Sequence, residues 1–148
     1  MRADEVMVEP LTVSPSESLR RLAELLLEHH SDGACVVENG RLVGVVTSMD
    51  LVFQEKQVHL PSILSFMDFA IPLESPARWR DELDKIAGTS VSEIMSEEPI
   101  TAAPDTLVSN IATKMVEKHL TLMPIVDGGR VVGVVTKPAL LRKLSLKD

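Results

Sequence analysis

The chain reads as an α/β protein assembled from two copies of one small unit. Three observations carry that reading. Residues 34–47, ACVVENGRLVGVVT, recur as residues 123–136, MPIVDGGRVVGVVT, with eight of fourteen positions identical. The same offset of 89 residues pairs Pro10 with Pro99, Thr12 with Thr101, Pro15 with Pro104, Ala23 with Ala112 and His30 with His119. Within each copy a helical period gives way to β-branched runs, the signature of a helix followed by strands. Self-similarity at a fixed offset sets the architecture, and it places function where the copies meet.

The elements follow in order. Ser14-Pro15-Ser16-Glu17 has the form of a helix start, with Ser14 as cap, Pro15 in the first turn and Glu17 completing a capping box. Leu19, Leu22, Ala23, Leu26 and Leu27 continue at helical spacing as far as His30. Two β-branched runs, 34–37 and 42–47, flank Asn39-Gly40, a strong two-residue hairpin signal. A short helix from Ser48 closes the unit. The second copy predicts a helix over 106–119, strands over 123–126 and 131–136 about Gly128-Gly129, and a last helix reaching residue 144. One unit leaves an apolar sheet face that it cannot cover alone, so the two are expected to pack sheet to sheet.

The division is residues 1–52 for the first repeat, 53–90 for an insertion and 91–148 for the second repeat. The insertion is too apolar for a flexible linker, which would be rich in Gly and Ser. It holds Leu60, Ile63, Leu64, Phe66, Met67, Phe69 and Ile71, then Ser75-Pro76 and a helical stripe of Trp79, Leu83 and Ile86. Asp81 and Lys85 form a favourable i,i+4 pair on its wet side. All three Phe and the one Trp lie in it. It is read as mainly helical and as a flap, a lid or part of a dimer interface.

Composition excludes several classes. Fifteen Lys and Arg against twenty-two Asp and Glu give a net charge of −7, and no basic face is apparent, which argues against nucleic acid. No signal peptide or membrane span is legible. The single cysteine, Cys35, cannot form an internal disulfide and fits a reducing cytoplasm. Set in an apolar run, it reads as a buried thiol and not as a nucleophile. His29, His30 and His119 sit at helix ends, where a cation favours the dipole, and with His59 they show no metal-ligand spacing. No Ser-His-Asp or Cys-His arrangement and no Gly-rich phosphate loop is present, so catalysis is not expected and no cofactor is required.

The motif of interest is Gly44-Val45-Val46-Thr47-Ser48-Met49-Asp50, a strand running into a helix. Its carboxylate could accept both hydroxyls of a ribose, as acidic residues do in dinucleotide sites. Thr47-x-x-Asp50 is equally a capping box, and periodicity alone favours the cap.

The duplicated Pro, Thr and Pro before a helix, with a hairpin ending in Gly-Val-Val-Thr, then x-x-Asp and an apolar residue, resembles a tandem pair of CBS domains (cystathionine-β-synthase repeats), a Bateman module. The resemblance covers nearly the whole chain outside the insertion. It implies β-α-β-β-α units packed through their sheets with pseudo-twofold symmetry and two clefts that take AMP, ADP, ATP or S-adenosylmethionine. It also implies a regulatory function, homodimers formed through the repeat faces and an unidentified regulated protein. By the resemblance Thr47, Ser48 and Asp50 would hold phosphate and ribose, and the base would lie against Ser92 and Leu120, Thr121, Leu122 and Met123. The second copy departs from the pattern. Thr136-Lys137-Pro138-Ala139 puts Ala139 where Asp50 stands, so its cleft is expected to be degenerate. Family members often carry Arg or His where this chain has Asp32-Gly33 and Thr121-Leu122. Lys137, Arg142 and His119 could compensate. An acid near a polyphosphate repels it, which favours AMP over ATP.

Overall fold

A computed structural model describes residues 1–52 and 88–145. The helices and the aromatic cluster expected between residues 53 and 87 lie outside the described residues. The first repeat contains α1 (Ala3–Val6), β1 (Thr12–Val13), α2 (Leu19–Glu28), β2 (Gly33–Glu38), β3 (Arg41–Thr47) and α3 (Ser48–Val52). A 3-10 turn at Val91–Glu93 leads into the second, with α4 (Val108–Glu117), β4 (Leu122–Asp127), β5 (Arg130–Thr136) and α5 (Lys137–Ser145).

Both hairpins form as the turn residues require. Asn39 and Gly40 have φ of 54° and 81°, and Gly128 and Gly129 have 61° and 84°. Two consecutive positive φ values are what a type I′ turn needs, and Asn and Gly adopt them at least cost. The first helix begins later than its sequence suggests. Ser18, not Ser14, is the cap, its Oγ accepting the Arg21 N–H at 3.1 Å. Ser14-Pro15-Ser16-Glu17 forms a turn instead, with the Glu17 N–H on the Ser14 carbonyl and the Ser16 N–H on Ser14 Oγ. Both serines can cap, and Ser18 is the one directly ahead of the apolar stripe that begins at the buried Leu19.

The strands form one five-stranded sheet in the order β1-β2-β3-β5-β4. Its two halves are joined at a single antiparallel pair, Arg41 with Arg130. β1 is the leading strand of the β-α-β-β-α unit that the resemblance implies; its two residues are too few to show a period, and Thr12 and Val13 are placed by pairing in parallel with Cys35 and Val36. An Ala102–Ile125 bridge is its counterpart in the second repeat. The halves also meet where β2 and β4 begin, because a Cβ on Gly33 would fall 2.5 Å from Leu122 Cδ2.

Each repeat keeps its own core, and each core borrows from the other half of the chain. Leu19, Leu22, Leu26, Val36 and Val46 of the first repeat are buried together with Val91 and Ile94. Ile111, Met115, Met123, Ile125 and Val135 of the second are buried together with Ala3 and Val6. The leading segments therefore cross over. Val8 pairs with Val134 on β5, and Ser96 pairs with Val45 on β3. Burying one Leu or Ile contributes about 1.5–3 kcal/mol, so these shared residues couple the folding of the two halves.

Cys35 is 1% exposed, and burial pushes its thiol from the ordinary range up to about 11. Near pH 8 a thiol held there has a thiolate fraction about 100-fold below that of an ordinary cysteine, and the thiolate is the reactive form. A disulfide reagent at pH 8 should therefore modify Cys35 at least ~100-fold more slowly in the native chain than in the urea-unfolded one. Equal rates would contradict the burial.

Candidate functional site

Two cavities open between the repeats, and the 89-residue offset relates their walls. The smaller, about 310 Å³, is floored by the β3–α3 turn with Thr47, Met49 and Asp50. The opposite repeat supplies Glu98, Pro99 and Ile100 and then the segment from His119 to Leu122. The larger, about 610 Å³, takes Thr136, Pro138 and Arg142 from the second repeat. Glu9, Pro10 and Leu11 face them from the first, followed by the segment from His29 to Cys35. Both volumes fall within the range of small-molecule sites, and the smaller is near its lower end. Thr121 and Leu122 line both cavities and form the wall between them. The Thr121 hydroxyl is buried there with no hydrogen-bond partner among the described residues. Such a group costs about 1–3 kcal/mol unless water or a ligand satisfies it.

The Thr47–Asp50 pair is a closed capping box. Asp50 Oδ2 accepts the Thr47 N–H at 2.7 Å and the Thr47 hydroxyl at 3.1 Å. The Asp50 N–H donates back to Thr47 Oγ1 at 3.3 Å. These bonds use one carboxylate oxygen and hold the side chain at the cavity wall. Asp50 Oδ1 carries no hydrogen bond from a described residue, so the carboxylate is both cap and available acceptor. The second repeat keeps half of the device. Thr136 Oγ1 accepts the Ala139 N–H at 3.2 Å, with no carboxylate beside it.

Of the residues singled out from sequence, Thr47, Asp50, Leu120, Thr121 and Leu122 come together around the smaller cavity. Ser48, Ser92 and Met123 do not line it. The Ser48 N–H is tied to the Asp32 carbonyl. Ser92 is exposed beside the turn ahead of α2, its N–H on the Pro15 carbonyl at 2.9 Å. Met123 points into the second core, 2% exposed, because alternate residues of β4 face opposite sides. In the second repeat Thr136 lines the larger cavity, whereas Lys137 is exposed and Ala139 is buried away from it.

Residues that sequence reasoning missed are Glu9, Pro10 and Leu11 and their counterparts Glu98, Pro99 and Ile100. Their signal was the Pro10/Pro99 match, which was noted without being assigned to a wall. His30 and His119 lie at equivalent places in the two cavities, both with left-handed backbone, φ 49° and 54°. Among the described residues no group of three or more His, Cys, Asp or Glu is placed to hold a metal ion. No described helix is long and apolar enough to cross a membrane.

Comparison with known proteins gives a consistent picture. The CBS domain family model matches residues 3–55 and 91–146. CBS domain-containing protein YhcV of Bacillus subtilis is 28% identical over 132 residues, spanning 89% of this chain and 76% of its own. Several other curated relatives are much longer, and the matched region spans only 21% to 45% of five of them. Among solved structures, CBSX2 in complex with AMP aligns with a TM-score of 0.72 and 25% identity over 99% of each chain; CBSX2 has also been solved from Arabidopsis thaliana. The CBS domain pair of protein MJ0100, in complex with 5-methylthioadenosine and S-adenosyl-L-methionine, aligns with a TM-score of 0.71. It covers 100% of this chain and 98% of its own at 24% identity, which shows the fold.

Proposed function

We propose a function from one premise: this chain belongs to the CBS domain family, matched over both of its repeats. The function is a regulatory module that binds an adenosine-containing ligand between its repeats and passes its ligation state to a partner protein. Neighbouring CBS pairs bind AMP or S-adenosylmethionine and methylthioadenosine. AMP is the first nucleotide to test here. The observation that carries the reading is the pair of offset-related cavities, each walled by both repeats, with the free Oδ1 of Asp50 at one of them to accept ribose hydroxyls. A ligand spanning both repeats favours one relative packing over another, and the difference in affinity between packings is the signal. Catalysis is not part of the proposal. The assembly that goes with it is a homodimer, for which Val116 and Leu141, 75% and 65% exposed, offer apolar surface.

Thermal unfolding with millimolar AMP, ADP, ATP or S-adenosylmethionine tests this. A ligand present at about 100 times its Kd adds roughly 2.7 kcal/mol. For a chain of this size that raises Tm by about 5–10 °C. A Tm indifferent to all four would favour the second reading, a ligand-free interaction module. The closed Thr47–Asp50 capping box is the observation on that side, since a cap alone explains both residues.

A further inference from the structure

One helix face is charged in the first repeat and bare in the second. Ser109, Ala112, Thr113 and Val116 stand three and four residues apart along α4 and so share a face. The offset of 89 residues sets them against Arg20, Ala23, Glu24 and Leu27 of α2. On α2 that face is satisfied from within. Arg20 meets Glu24 at 3.7 Å, and Arg21 meets Glu24 at 3.1 Å and Glu28 at 3.5 Å. Ala23 is buried there and Leu27 is half-buried. On α4 the same four positions carry no charge, Ala112 is half-buried and Val116 is 75% exposed. The Thr113 hydroxyl already donates to the Ser109 carbonyl at 2.8 Å, so covering it strands no donor.

We infer that two copies of this chain pair head to head, second repeat against second repeat, through the α4 face about a twofold axis beside Val116. The inference rests on the homodimer reading above and fixes which surface each copy presents. A twofold contact sets one patch against itself. A charged patch then meets its own sign, whereas an uncharged one meets nothing that repels it. The α4 face is self-matching in this sense: Val116 meets Val116, and the residues that lose water beside it are Ser, Ala and Thr. Pairing α4 with α2 of the second copy would instead strip water from Arg20 and Glu24. An exposed ion pair of that kind returns little when it is buried. Pairing α2 with α2 would incur that cost on both sides. The centres of protein interfaces are depleted of charge for the same reason. Duplication therefore left two equivalent helices, and only the second was cleared of the charges that keep a face in water.

Sedimentation of the whole chain gives the oligomeric state, and cysteine cross-linking gives the orientation. Val116→Cys alone should form a disulfide-linked dimer on mild oxidation, and Leu27→Cys alone should not. The buried Cys35 stays out of the reaction. Val116→Lys should raise the dimer dissociation constant roughly tenfold or more, because like charges then face each other across the axis. Its far-UV dichroism should match wild type, since the side chain is exposed, which separates lost pairing from lost folding. Arg20→Ala should leave the dissociation constant within about twofold. Cross-linking only in a mixture of Val116→Cys with Leu27→Cys would show head-to-tail pairing. That result, or a dimer indifferent to Val116→Lys, would overturn the inference and leave the homodimer reading intact. A wild-type chain that stays monomeric up to millimolar concentration would overturn both.

Discussion

Ala3→Asp should destabilise the second repeat, although residue 3 stands 120 positions before that repeat's hairpin begins at Met123. Ala3 is 0% exposed and packs with Ile111, Met123, Ile125 and Val135. Its N–H donates to the Thr106 carbonyl at 2.8 Å. A carboxylate there would be buried without a partner, an effect of about 3 kcal/mol or more. At 2–4 °C per kcal/mol the melting temperature should fall by roughly 10 °C. Amide exchange should show β4 and β5 losing protection before β2 and β3 do. A melting temperature within a degree of wild type would mean that α1 does not belong to this core. The control is Arg20→Ala, on the exposed face of α2, where only a long surface ion pair to Glu24 is lost.

Gly44→Ala should cost more than Gly133→Ala, although both glycines stand in the identical run Gly-Val-Val-Thr. At Gly44 a Cβ would lie 2.8 Å from the Ser96 carbonyl oxygen and 2.7 Å from Met95 Sδ. The sulfur can move. The carbonyl is held, because Ser96 exchanges two backbone hydrogen bonds with Val45, at 2.8 and 3.1 Å. At Gly133 all three nearest atoms belong to the side chain of Met7, a flexible neighbour. Overpacking against a fixed backbone costs about 1–3 kcal/mol, so we expect about 2 kcal/mol at Gly44 and under about 1 kcal/mol at Gly133. Urea titration of the two variants measures the difference. Equal midpoints would show that the Ser96 strand yields as easily as Met7 does.

These two cases mark the limit of what could be read from the chain alone. The hairpins were legible because Asn39-Gly40 and Gly128-Gly129 carry their turn chemistry locally. The long helices were legible from their apolar period, except at the first start, where two serines competed for one cap. The smaller cleft was half legible: Thr47 and Asp50 lie in the motif, but Glu98, Pro99 and Ile100 reach it from the other repeat. Ser92 and Met123 were misplaced for the same reason. Leu122 and Pro124 face the cleft while the alternation of β4 turns Met123 into the core, and Ser92 lies in the Val91–Glu93 turn, none of which lines the cleft.

By itself the sequence determined the duplication, the α/β composition of each copy, the family and the loss of the carboxylate at Ala139. All of these reside in local chemistry or in a comparison of the chain with itself. Only the tertiary structure decided that α1 completes the core of the second repeat and residues 91–94 that of the first. It also decided that the cleft lacking Asp50's counterpart is the larger and holds the arginine. Those features depend on contacts between residues far apart in the chain, and burial, cavity volume and the summed charge around a cavity are properties of such contacts. A one-dimensional period carries no record of them.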